Sequence, residues 1–146
     1  MNNLRLTKEF RMEIAHALDN HDGKCRNIHG HSYRLSVTIF GKPNPTKGHP
    51  KEGMILDFSD LKKIVKDQIV SRFDHALVLQ KDSPFVKTIS ERQEKLVLCE
   101  LQPSCENMLL DFVKLLEEAL PPDVQLKHLR LSETANSYAE WYSDDQ

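Results

Sequence analysis

From Leu4 to His16 the chain alternates. Leu4, Leu6, Phe10, Met12 and Ile14 fall on one side, interrupted by Lys8, while Arg5, Thr7, Glu9, Arg11 and Glu13 fall on the other. A period of two predicts a strand with one buried face, and that face ends in His16. A polar connection, 17–28, carries Asp19, Asn20, Asp22 and Gly23. A second alternating run goes from His29 to about Phe40. His29, His31, Tyr33, Leu35, Val37 and Ile39 make its inner face, and Ser32, Arg34, Ser36 and Thr38 its outer one.

The period then lengthens. After a turn-rich excursion over 41–53, with Pro43, Pro45 and Pro50, Asp57 or Ser59 is placed to cap a helix. Its buried positions are Leu61, Ile64, Val65 and Ile69, and Lys62, Lys63, Lys66 and Asp67 form a solvated face. Phe73-Asp74-His75-Ala76-Leu77 follows. Ser83-Pro84 is a helix-start signal, and 95–101 suits a short edge strand. A second long helix opens at Ser104, buries Met108, Leu109, Phe112, Leu115, Leu116 and Ala119, and stops at Pro121-Pro122. Val124 to Thr134 returns to the sheet with Leu129, Leu131 and Glu133 on one face, and Tyr138 to Tyr142 adds a final strand. Strands and helices in this order imply an α+β fold in a single domain, 1–146.

Composition narrows the function. A net charge of -2 gives no electrostatic footprint for nucleic acid. No apolar run has the length of a membrane span, and the first residues lack the apolar core of a secretory signal. Three cysteines, an odd number without tight metal spacing, suit a reducing cytoplasm rather than a disulfide framework. With 5 glycines the chain has no phosphate-binding glycine loop.

The chemistry gathers at one end of the first two strands. If they pair antiparallel, His16 ends the first where His29 and His31 open the second, all on the apolar face. Separate hydrogen-bonded core histidines are an ordinary outcome for one imidazole. For three that converge, a shared metal is favoured. Cys25 suits ligation or proton transfer beside it. Asp74 beside His75 could orient an imidazole as a proton carrier, Glu106 has a sufficient explanation in the helix dipole, and Glu133 is an inward carboxylate in need of a partner. Cys99 reads as a small buried hydrophobe.

Taken together, Ile14-Ala15-His16, Cys25-x-x-x-His29-Gly30-His31-x-Tyr33, Gly53-Met-Ile-Leu-Asp57-Phe58, Asp74-His75, Pro103-Ser104-x-Glu106-Asn107 and Ser132-Glu133-Thr134 resemble the 6-pyruvoyl-tetrahydropterin synthase family. The resemblance runs from about Phe10 to Thr134, and its specificity lies in the combination. It implies a tunnelling fold: an antiparallel sheet with two helices on one face, with sheets joining across subunits into a barrel. Members usually form trimers stacked into hexamers, with active sites at subunit junctions. By the same resemblance His16, His29 and His31 match the zinc ligands, Cys25 the catalytic cysteine, and Asp74 with His75 the proton-relay pair. Glu133 matches the glutamate that anchors the pterin's amino-pyrimidine edge, and Ser104 and Glu106 lie at the motif lining the pterin pocket.

The implied reaction is the zinc-dependent conversion of 7,8-dihydroneopterin triphosphate to 6-carboxy-5,6,7,8-tetrahydropterin, with release of acetaldehyde and triphosphate, as in the queuosine pathway. A pyruvoyl-type member stops at elimination of triphosphate. The short spacer between Cys25 and His29 is similar to the carboxy type, and Cys25 speaks against the folate-pathway branch, which has glutamate there. The chain departs from the family pattern at Ile14, at Ser104-Cys105 and in the length of Gln80 to Gln102. From another class, the same residues would suit a non-catalytic zinc or pterin-binding module.

Overall fold

The structure, a computed structural model, describes residues 2–146. The two alternating runs form β1 (Leu4–His16) and β2 (His29–Gly41). They pair antiparallel along their whole length, from Leu4 opposite Gly41 to His16 opposite His29. β5 (Gln125–Thr134) continues the antiparallel pattern on β2, and β6 (Ser137–Tyr142) continues it on β5.

The other edge of the sheet departs from expectation. β3 (Ala76–Gln80) joins β1 in parallel at Ile14 to His16, and β4 (Leu96–Cys99) joins β3 in parallel. The sheet is therefore mixed, in the order β4-β3-β1-β2-β5-β6, with its antiparallel part confined to four strands. Ala76 to Leu79 is buried on both faces, so its sequence shows an unbroken apolar run rather than an alternation that would advertise a strand.

Two helices cover one face. α1 (Phe58–Val65) starts where the Asp57 carboxylate accepts the Ser59 N–H at 2.8 Å and pairs with Lys51 at 2.7 Å. It runs on through a π-helical turn (Lys66–Val70) and a last turn (Ser71–Phe73). Every fourth residue of a regular α-helix drifts about 40° around the axis. The wider π turn takes up part of that drift, so Leu61, Val65, Ile69 and Phe73 all reach the core. The second long helix, α3 (Cys105–Ala119), is capped by the Ser104 hydroxyl, which accepts the Asn107 N–H, and buries Met108, Leu109, Phe112, Val113 and Leu116. Both helices pack on Met12, Tyr33, Leu35, Leu129 and Leu131 in the main core.

Short α2 (Phe85–Ile89) lies on the opposite face, over Ala17, Leu77 and Leu79. The segment from Gln80 to Gln102, hard to read in sequence, thus supplies an edge strand and a small second core. Cys99 is buried there as expected, and His49 is exposed in the excursion. No helix among the described residues is long and apolar enough to cross a membrane. Among the described residues three stretches of edge are unpaired: β1 from Leu4 to Glu13, where β3 does not reach, the outer side of short β4, and the outer side of β6.

Candidate metal centre

The full-length pairing of β1 with β2 brings His16, His29 and His31 to one end of the core face. One ring nitrogen from each lies within 4.8 Å of the others, the only such cluster of potential ligands among the described residues. The backbone decides which nitrogens face inward. His16 Nδ1 lies 2.7 Å from the Pro103 carbonyl and His29 Nδ1 lies 2.7 Å from that of Asn27. A carbonyl only accepts, so both Nδ1 atoms carry a proton, and Nε2 is the atom each ring turns inward. Those two Nε2 atoms stand 3.1 Å apart. When both rings are neutral no proton lies between these atoms, and a cation shared with His31 satisfies both. The donor set, three converging imidazole nitrogens, fits zinc. Burial, in part offset by the Pro103 bond, holds His16 below the ordinary imidazole range, which keeps its inward lone pair available at neutral pH.

Glu133 completes the group. Its Oε1 lies 3.6 Å from His16 Nε2 and 3.5 Å from His31 Nε2, and it accepts the Tyr33 hydroxyl at 3.2 Å. Burial, reinforced by Glu133, drives the Tyr33 phenol far above its usual range, so Tyr33 is a fixed donor. Tyr33 was legible as an inner-face residue, but a β-strand tyrosine carries no sequence signal of a polar contact. The carbonyls of Asn27 and Pro103, which set the tautomers, leave no side-chain signature at all.

The remaining candidates are dispersed. Cys25 sits half-buried in a 3₁₀ turn (Lys24–Arg26) tied to the end of β1 by the Leu18 N–H on its carbonyl at 2.9 Å, and its thiol stays outside the histidine cluster. Ser104 caps α3 and Glu106 is exposed in its first turn. Cys105, between them, donates its thiol to the Leu131 carbonyl at 3.3 Å; burial, with Glu133 nearby, pushes it up to about 11, so it is a packing residue.

Asp74 and His75 lie elsewhere. His75 takes the left-handed backbone conformation (φ +63°), rare for a non-glycine residue and held here by tight anchoring. Its N–H donates to the Glu13 carbonyl at 2.6 Å, the Glu13 N–H donates back to Asp74 Oδ1 at 2.8 Å, and that carboxylate faces His75 Nδ1 at 3.1 Å. Partial burial of Asp74 opposes its charge, but the Glu13 N–H, His75 and Lys95 outweigh it and hold the carboxyl below its ordinary range. The His75 ring is largely exposed, at a groove of about 420 Å³ that it shares with His31, Glu13, Ile28, Ser32, Ile89 and Gln93. Neither residue makes a hydrogen bond or ion pair to the three histidines among the described residues. The chain therefore brings the three imidazoles and Glu133 together by itself, and leaves the Asp74–His75 pair unbonded to them among the described residues.

A curled, mixed α+β sheet with helices on one face and three imidazoles at its end defines the class: a fold built around a candidate catalytic metal. The family model for 6-pyruvoyl tetrahydropterin synthase matches residues 5–144, and the chain belongs to that family. It is 36% identical over 139 residues to 6-carboxy-5,6,7,8-tetrahydropterin synthase of Haemophilus influenzae, covering 94% of this chain and 97% of the relative. Its fold is similar to the crystal structure of an uncharacterized protein from Wolinella succinogenes (TM-score 0.79, 20% identity, 98% and 99% coverage). It is also similar to 6-pyruvoyl tetrahydropterin synthase of Caenorhabditis elegans (TM-score 0.72, 24% identity, 98% and 97% coverage).

Proposed function

We propose that the protein is a zinc-dependent lyase of the 6-carboxy-5,6,7,8-tetrahydropterin synthase type, acting on 7,8-dihydroneopterin triphosphate within the queuosine pathway. The observation that carries this reading is the convergence of three ring nitrogens, with the inward Nε2 atoms of His16 and His29 3.1 Å apart and His31 beside them. The Haemophilus relative's activity and the short Cys25–His29 spacer favour the carboxy type.

Zinc held by His16, His29 and His31 would supply Lewis-acid chemistry toward the substrate's side-chain oxygens. Cys25 takes the proton from the adjacent carbon, and the Asp74–His75 pair returns one: Asp74 holds Nδ1 and leaves Nε2 to deliver it. Triphosphate leaves by elimination; water then adds to the side-chain carbonyl next to the ring, and breaking the bond between the two carbonyl carbons leaves the carboxylate and releases acetaldehyde. Glu133 accepts the N–H groups of the amino-pyrimidine edge, turning outward from His16 and His31 to do so. Ser104 keeps its O–H free while its oxygen caps the helix, and with Glu106 it lines the pterin pocket.

Neither Asp74 nor His75 bonds to the three imidazoles of its own chain, and in this reading a second copy completes the site. The open edges of β1 and β6 differ from each other, and head-to-tail pairing of such edges closes a ring. A trimer stacked into a hexamer follows from this reading, with a single pterin-synthase-like domain per chain, in the cytoplasm, and with neither nucleic acid nor membrane as partner. The test is product identification. The zinc-loaded protein incubated with 7,8-dihydroneopterin triphosphate yields 6-carboxytetrahydropterin and acetaldehyde by mass spectrometry. A pyruvoyl product without acetaldehyde moves it to the other branch of the family, and absence of turnover ends the enzymatic reading in favour of a binding module.

A further inference from the structure

The sheet face away from α1 and α3 carries charge that the chain does not neutralise. Register sets Arg11 of β1 directly opposite Arg34 of β2, an arrangement that costs repulsion. Arg34 in turn faces Ser132 on β5, and Arg130, two residues back, faces Ser36. None of the three guanidinium groups has a carboxylate within 4.0 Å among the described residues. Two neighbouring carboxylates are engaged elsewhere: Glu13 accepts the Ser32 hydroxyl at 2.7 Å, and Glu140 faces His128 at 3.5 Å. Arg130 is preoriented, its guanidinium carbon 3.6 Å from the centroid of the Tyr138 ring. Arg34 and Arg130 line a cavity of about 450 Å³ together with Ser36, Ser132 and Thr134, and Glu9 is the only acidic residue in its wall.

We propose that this cavity is a polyphosphate site, in which Arg34 and Arg130 hold successive phosphoryl groups of an inorganic di- or triphosphate and the Ser36 and Ser132 hydroxyls donate to the remaining oxygens. Planar guanidinium forks match phosphate oxygens bidentately, and fixed donors lose little freedom on binding. Two forks a diagonal step apart, with Arg11 one strand over, suit an anion bearing several charged groups; one carboxylate would satisfy a single fork. The site goes beyond the pterin reading and does not depend on it, since it lies across the sheet from the histidines.

Calorimetric titration of metal-free protein with inorganic triphosphate at low salt tests it. One saturable site per chain is expected, weakening as salt rises. Arg34→Gln and Arg130→Gln, which keep the apolar stems, each weaken binding about tenfold, the loss expected for one charge-assisted contact, and the double variant abolishes it. Arg34→Lys retains more affinity than Arg34→Gln. His29→Ala binds as the wild type does, which separates this site from the metal centre. Absence of saturable binding at millimolar triphosphate, or a double variant with unchanged affinity, overturns the proposal.

Discussion

The metal assignment makes a quantitative demand on stability. In the metal-free chain, the Nε2 atoms of His16 and His29 face each other at 3.1 Å, and His16 is only 1% exposed, so water reaches the pair poorly. A ligand that binds only the folded state stabilises it by about 2.7 kcal/mol at a concentration one hundred times its dissociation constant. For a chain of this size each kcal/mol moves the melting temperature by about 2–4 °C, so zinc should raise it by about 5–11 °C. Metal-stripped protein melted by circular dichroism with and without zinc, alongside metal content by mass spectrometry, measures both quantities. His29→Ala leaves two imidazoles and should lose most of the bound zinc and of the shift. Acid should act in the same direction. His16 is held below the ordinary 6.5 by burial, so below that pH the unfolded chain binds a proton the folded chain resists. Stability of the metal-free protein is thus complete above 6.5 and falls as the pH drops from there toward the lowered native value. An equal zinc shift in wild type and His29→Ala would refute the site.

Three further outcomes follow from the geometry. Cys25→Ala should abolish turnover with zinc content unchanged, since the thiol lies outside the ligand cluster; loss of zinc would make Cys25 a ligand instead. Tyr33→Phe removes the donor to Glu133 Oε1, and because that carboxylate is 29% exposed its loss is worth about 1 kcal/mol. The variant should raise KM for the pterin about fivefold with kcat nearly unchanged, whereas an unchanged KM would make the contact incidental. Phe112→Ala empties a fully buried site against Phe73, and denaturant unfolding should register a loss of about 3–5 kcal/mol.

How much of this was legible in the sequence depends on the kind of interaction. The alternation in β1 and β2 predicted both strands and the shared face of His16, His29 and His31, because one buried face forces a period of two. The caps at Asp57 and Ser104 were equally local, each satisfied within three residues. The parallel strands were not legible as such. β3 is buried on both sides, and nothing in an apolar run says which neighbour it pairs with or in which direction.

The sequence by itself determined the shared face of His16, His29 and His31, the two long helices and the inward Glu133, since each rests on periodicity or spacing along the chain. Only the tertiary structure decided the tautomers of His16 and His29, which depend on carbonyls of a loop and of the residue before a helix cap. It alone set Tyr33 against Glu133, and Arg11 opposite Arg34. It also bound Asp74 and His75 to each other and to Glu13 rather than to the three imidazoles. Position along a strand says which face a side chain takes, but the partner it meets there is chosen by how distant segments close upon each other.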